Sequence, residues 1–195
     1  VATGAKENYP EPRGNNKPAL RDGQIRMRIS SLLLIAALTA AGASSIMAQT
    51  ASPEVGPDSG LPLPRFVSLK TGEANARRGP SLTHRVDWLY TRRDLPLMVT
   101  GEYEHWRRVE DSEGQGGWVF YTLLSGVRTV VVQNDMTPIR SNPQTNAHEV
   151  ALLETGVVAH IMECEPEWCR LSIDGTRGWV HRGALWGLLP NEVLD

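Results

Sequence analysis

The sequence predicts an all-β chain: two tandem small β-barrels behind a signal peptide and a Pro/Gly-rich linker. Three observations carry this. A short phrase occurs twice, as Trp106-Arg107-Arg108-Val109 leading through a Gly-rich turn to Gly117-Trp118-Val119, and as Trp168-Cys169-Arg170-Leu171 leading through Asp174-Gly175 to Gly178-Trp179-Val180. Its tryptophans stand twelve residues apart in the first copy and eleven in the second, and an internal repeat constrains architecture before any other feature does. After residue 50 the apolar runs have the length of strands, punctuated by turn residues and without a helical period. Before it, the composition is that of a leader.

The 195 residues carry 20 Lys and Arg against 22 Asp and Glu, a formal charge of −2 that is unevenly spread. The charge is +3 up to Ala48, +2 over 65–133 and −5 over 134–195. No strong basic field exists, which argues against a nucleic-acid partner.

Taken in order, residues 1–26 are polar and rich in Pro and Gly, and read as an upstream extension expected to be disordered. Met27 then looks like the natural start. Arg26 and Arg28 precede the apolar run Leu32-Leu33-Leu34-Ile35-Ala36-Ala37-Leu38, and Ile46-Met47-Ala48 reads as a cleavage site, so 27–48 is expected to be a Sec-type signal peptide cut after Ala48. The alternative, a membrane anchor, needs about 20 apolar residues, and this run is shorter. The expected location is periplasmic or secreted, with no membrane span after cleavage. Residues 49–64 hold Pro53, Gly56, Pro57, Gly60, Pro62 and Pro64, and are expected to be a linker with no room for a strand.

The first folded unit is expected over 65–132. Phe66-Val67-Ser68-Leu69, Asn75-Ala76-Arg77, Val86-Asp87-Trp88-Leu89-Tyr90 and Leu95-Pro96-Leu97-Met98-Val99 read as strands, with Pro96 at an edge or end. The first Trp phrase follows as a hairpin, Leu123-Leu124 suits a 3₁₀ turn, and Arg128-Thr129-Val130-Val131-Val132 is read as the closing strand. The second unit, 133–189, repeats the pattern: Arg140-Ser141-Asn142-Pro143 answers Arg77-Arg78-Gly79-Pro80, and Ala184-Leu185-Trp186-Gly187 answers Leu123-Leu124-Ser125-Gly126. Residues 190–195 are read as a tail. A unit of about 60 residues is marginal alone, so the two are expected to pack together.

The ordered set of an Asn-Ala-Arg strand, a Gly-Pro-Ser turn, a Trp-x-Arg-Val strand, Gly-Trp-Val and a Leu-rich 3₁₀ turn resembles bacterial SH3-like (SH3b) domains. The likeness covers 66–188, and is to the proteobacterial subgroup with two such domains behind a signal peptide. It implies a five-stranded SH3-like barrel in each half and a non-enzymatic binding or adaptor role. It also implies peptidoglycan or a cell-envelope protein as partner, since such domains associate with the cell wall or accompany wall hydrolases. A structural or regulatory adaptor for a protein partner is the alternative reading, and a protein accessory to or part of a wall hydrolase the lesser one, since these residues supply no nucleophile–base constellation.

Strand alternation sorts the candidate site. In Trp168-Cys169-Arg170-Leu171-Ser172-Ile173 the core face is Cys169, Leu171 and Ile173, so Trp168 and Arg170 point outward, and Trp106 and Arg108 do the same opposite Val109. An outward Trp with Arg two residues on is a candidate stacking platform for a sugar ring or a peptide; packing on a neighbouring loop or on the sister unit stays open. Tyr103 and Tyr121 are further groove candidates. Trp118 and Trp179, each between a glycine and a core valine, are expected to be structural, and Trp88 and Trp186 to pack in the core or between units.

Cys164 and Cys169 flank a Pro-containing turn and are expected to form a disulfide in an oxidising compartment. A zinc site lacks its second ligand pair, and a Cys nucleophile lacks an activating setting. The five histidines are scattered without metal spacing, His160 reading as a structural residue, and no nucleophile elbow, phosphate loop or dinucleotide fingerprint occurs. No catalytic residue, metal or cofactor is expected. Glu163, Glu165 and Glu167 make an acidic hairpin tip, ordinarily a solvated turn but able to meet a cationic partner.

Overall fold

The computed structural model describes residues 54–195. The expected signal peptide, the stretch before it and residues 49–53 of the linker lie outside the described residues.

A short hairpin of β1 (Glu54–Val55) and β2 (Pro62–Leu63) comes first. The first barrel follows as β3 (Arg65–Leu69), β4 (Ala74–Arg77), β5 (Val86–Tyr90), β6 (Pro96–Tyr103), β7 (Trp106–Glu110) and β8 (Gly116–Phe120). A 3₁₀ turn at Tyr121–Leu123 then leads to β9 (Leu124–Ser125). The second barrel is β10 (Thr129–Val132), β11 (Thr137–Arg140), β12 (Glu149–Leu153), β13 (Val158–Cys164), β14 (Trp168–Ile173) and β15 (Thr176–His181). It ends in a 3₁₀ turn at Arg182–Ala184 and β16 (Leu185–Trp186).

The sheets have orders β5-β4-β8-β7-β6-β3-β9 and β12-β11-β15-β14-β13-β10-β16, the same order with every strand number seven higher. The duplication is therefore complete at the level of topology. Each sheet has seven strands and not the five implied by the resemblance, because the hairpin β4–β5, and likewise β11–β12, adds a pair of arms to the barrel.

Each barrel closes on its own apolar cluster. Leu69, Leu97, Val99, Val109 and Val119 fill the first, and Val130, Val132, Ile139, Cys169, Leu171 and Val180 the second, all essentially without exposure. The core face expected for β14 is the observed one, with Ile173 packed against the cluster. Glycine before Trp in each Gly-Trp-Val has a steric cause. A Cβ on Gly117 would stand 2.6 Å from the Arg77 carbonyl oxygen, and one on Gly178 2.6 Å from that of Arg140.

Two expectations are corrected here. The strand Thr129–Val132 does not close the first unit: it pairs with β13 and β16 in the second sheet. It takes the place that β3 takes in the first, pairing with β6 and β9. Four consecutive apolar or β-branched residues fit either barrel, and only pairing decides between them. The described part of the linker, 54–64, is also not structureless. Its hairpin is held by Glu102, which accepts from the Ser59 hydroxyl at 2.6 Å, the Ser59 amide at 2.9 Å and the Asp58 amide at 3.2 Å. Prolines and glycines there shape a docked turn. Gly56 lies so close that a Cβ would meet the Glu102 carboxylate at 2.5 Å.

The C-terminal tail docks too. Leu194 makes a β-bridge with Cys164, and Glu192 forms an ion pair with Arg128. Arg182 donates to the carbonyls of Leu189 and Glu192.

The barrels meet through Phe66 and Trp186, whose rings stand edge to face at 5.0 Å. The Thr129 hydroxyl donates to the Asp94 carbonyl at 2.7 Å and Arg92 to the Gly156 carbonyl. Trp186 thus packs between the units, as expected. His160 is half-exposed at this joint, 3.7 Å from the Asp94 carboxylate.

Candidate functional site

Strand pairing places Trp106 opposite Phe120 and Trp168 opposite His181. Each pair stacks edge to face at 5.4 Å. Neither indole belongs to a barrel core cluster, yet neither is an open platform. Trp106 is 7 % and Trp168 8 % exposed. Each forms the floor of a groove that the adjoining hairpin roofs, the first strand of that hairpin, β4 or β11, being paired with β8 or β15.

The first groove, a cavity of about 420 Å³, is walled by Asn75, Leu82, Leu89, Phe120 and Leu123 around Trp106. The second, about 320 Å³, is walled by Met136, Pro138, Thr145, His181 and Ala184 around Trp168. The arginine ending the first strand of each arm holds the roof in place. Arg77 donates to the carbonyls of Leu82 and His84 at 3.1 and 2.8 Å, and Arg140 to that of Ala147 at 2.8 Å and to the Glu149 carboxylate at 3.0 Å. The second groove carries His181 and Ala184 where the first has Phe120 and Leu123, and Thr145 where the first has Leu82.

The six candidate residues, four from strand alternation and the two tyrosines, do not converge. Trp106 and Trp168 lie in the two grooves. Arg108, opposite Trp118 and exposed, lines a different cavity with that ring. Arg170 is paired with Glu163 at 3.2 Å. Tyr103 is 52 % exposed. Tyr121 borders a third depression with Asp58, Glu104, His105 and Arg107, in which the Arg107 guanidinium sits 5.8 Å over the Tyr121 ring. Groove residues the sequence reading passed over are Leu82, Leu89 and Met136, exposed at 74 %, 50 % and 59 %. Leu82, an apolar residue beside the Gly-Pro-Ser turn, was the available signal. Trp88 is 39 % exposed and lines a cleft that also takes in Val131 and Gly156, so of its two expected settings it has the one between the units and not the core.

Beside the grooves, the two copies solve one position differently. Glu102 stands opposite Arg107 as Cys164 stands opposite Cys169. In the first barrel the pair is ionic, Arg107 Nε to Glu102 Oε1 at 3.2 Å with Arg65 joining at 2.7 Å; in the second it is the expected disulfide. Burial pushes the Glu102 carboxyl up, but hydrogen bonds from Ser59 and Arg65 and the nearby charge of Arg107 outweigh it and hold the group down at about 2. Burial likewise pushes the Tyr90 phenol up, with help from Asp111 and Glu110; its hydroxyl donates to the Gln115 carbonyl.

Among the described residues no group of three or more His, Cys, Asp or Glu is placed to hold a metal ion, and no helix is long and apolar enough to cross a membrane.

Comparison with known proteins adds the following. A family model described as bacterial SH3 domain matches twice, over residues 70–126 and 133–187. Both matches begin just after the first strand of a barrel, β3 or β10. No curated protein matches the chain. Among solved structures, NlpC2 and NlpC1 from Trichomonas vaginalis are similar at 15 % and 16 % identity, each with a TM-score of 0.30. The matches cover 63 % and 67 % of this chain, which spans about half, 48 %, of each of theirs.

Proposed function

The chain belongs to the bacterial SH3 domain family, and from that premise we propose that it is an exported binding module that holds cell-wall peptidoglycan in its two Trp-floored grooves. The observation that carries this reading is the recurrence of one groove at equivalent positions of both barrels, each with an aromatic floor, an apolar wall and a roof fixed by arginine. Two similar sites on one rigid chain suit a repetitive polymer, because engaging the second site becomes an intramolecular event. An aromatic floor with exposed aliphatic rims suits sugar rings or a short peptide stem. A periplasmic or secreted location, through the leader expected at 27–48, is part of this proposal.

The test is cosedimentation of the full chain with purified peptidoglycan, with the supernatant also scored for released fragments. Leu82→Glu, Leu89→Glu and Met136→Glu alter exposed rims and should leave the fold intact. We expect the wild type to pellet, the rim variants to lose at least half of the bound fraction, and no fragments to appear. Rim variants that pellet like the wild type would sink the groove assignment, and fragment release would make the protein a hydrolase.

A second reading is favoured by the joint. Trp186 is committed to Phe66, so the second barrel can serve to brace the first, leaving an adaptor for an envelope protein. In that case the wall pellet is empty, and crosslinking through Leu82 captures a protein partner.

A further inference from the structure

The Arg108 face is not used by either groove, and it differs between the two copies at four equivalent positions. Arg108 lies opposite Gly101 on one side and Trp118 on the other; Arg170 lies opposite Glu163 and Trp179. The carboxylate of Glu163 therefore neutralises Arg170 at 3.2 Å, while glycine leaves Arg108 exposed with no carboxylate partner among the described residues. The backbone bond from Arg78 to Arg85 recurs as that from Ser141 to His148, so two further arginines of the first barrel are absent from the second. Asp87, which has Val150 at its counterpart, is shared between Arg78 at 3.0 Å and Arg85 at 2.6 Å.

These groups border one open cavity of about 420 Å³. It is lined by Arg78, Asp87, Arg108, Glu110 and Trp118, and closed behind by Gly116 and Gly117. The glycines are obligatory there: a Cβ on Gly116 would stand 1.9 Å from the Val109 carbonyl oxygen. Guanidinium groups match carboxylates in a planar, two-point geometry, and the half-buried Trp118 ring supplies an apolar wall. Asp87 and Glu110 keep the net positive charge modest, which suits singly charged carboxylates spaced along a chain better than a dense phosphate polymer.

We propose that the first barrel carries a carboxylate-binding groove, formed by Arg108, Arg78 and Trp118, that takes an extended acidic peptide segment of a partner protein. Asp87 acts in it as an internal competitor, occupying Arg78 until a ligand carboxylate displaces it.

The test uses the full chain and a fluorescein-labelled octaglutamate peptide, read by anisotropy at low salt, where exposed charges are least screened. Arg108→Ala should weaken binding by about fivefold, the scale of one partly screened charge-assisted contact. Arg170→Ala should change it less than about twofold, being already neutralised. Asp87→Asn should tighten binding, since it releases Arg78 and Arg85. The side chains of Arg78 and Arg85 are 65 % and 68 % exposed and Arg108 is exposed, so the variants should fold, as thermal midpoints will show. Wild-type affinity in Arg108→Ala overturns the proposal, as does an equal loss in Arg170→Ala. Tighter binding of an inorganic polyphosphate of equal charge overturns the peptide assignment. Self-association of the chain that Arg108→Ala abolishes would replace the partner with the acidic tip of a second copy.

Discussion

At the residue scale, Trp106 joins stability to the binding proposed for its groove. Its indole is 7 % exposed and packs on Phe120, so Trp106→Ala should cost about 3 kcal/mol in urea denaturation, the scale of other buried aromatic truncations. Trp106→Phe, which keeps a ring on the floor, should cost about 1 kcal/mol. Loss of binding in the alanine variant alone would therefore say little about ligand contact, and the exposed rims at Leu82, Leu89 and Met136 are the informative positions. Strand alternation correctly kept both tryptophans out of the barrel interior. It did not show the roof, because residues 73–89 are local in sequence but come beside Trp106 only once β4 has paired with β8.

At the element scale, the same cross-strand position carries an ion pair in one copy and a disulfide in the other, and a chain extension docks beside each. The β1–β2 hairpin is held by Glu102, the tail by the backbone of Cys164 and by Arg128. Arg128 has the position in its barrel that Arg65 has in the first, one residue before β10 where Arg65 opens β3, and each arginine is neutralised by a carboxylate, Glu192 or Glu102. The folded Glu102 carboxyl is held at about 2 against an ordinary 4.5. Its contribution is therefore fully present above pH 4.5 and lost as pH falls towards 2. Glu102→Gln should flatten that acid limb in pH-dependent melting, and should speed proteolysis within 54–64. An unchanged acid limb would remove Glu102 from the role assigned to it.

At the scale of the whole molecule, two units of about 60 residues each bury too little surface to be robust alone, and the joint supplies what each lacks. The contacts of Phe66 with Trp186 and of Thr129 with Asp94 tie the first strand of each barrel to another part of its neighbour. The chain should melt in a single calorimetric transition. Trp186→Ala should broaden or split it by uncoupling the halves, and two resolved transitions in the wild type would show that the joint is energetically idle.

The doubled Trp–turn–Gly-Trp-Val phrase, the core face of β14 and the Cys164–Cys169 bridge were all legible in the sequence. They rest on alternation, turn chemistry and short separations, which are local. The sequence by itself determined two barrels of one kind, a repeated pair of tryptophans outside their cores, and a more arginine-rich first copy. Tertiary structure alone decided which barrel owns Thr129–Val132, that the Pro/Gly-rich segment docks on Glu102, that each Trp is a groove floor, and that Arg108 is separated from Trp106. The reason is common to all four. Each depends on which distant strand or loop lies alongside, and pairing across a closed sheet leaves no mark in the residues on one side of it.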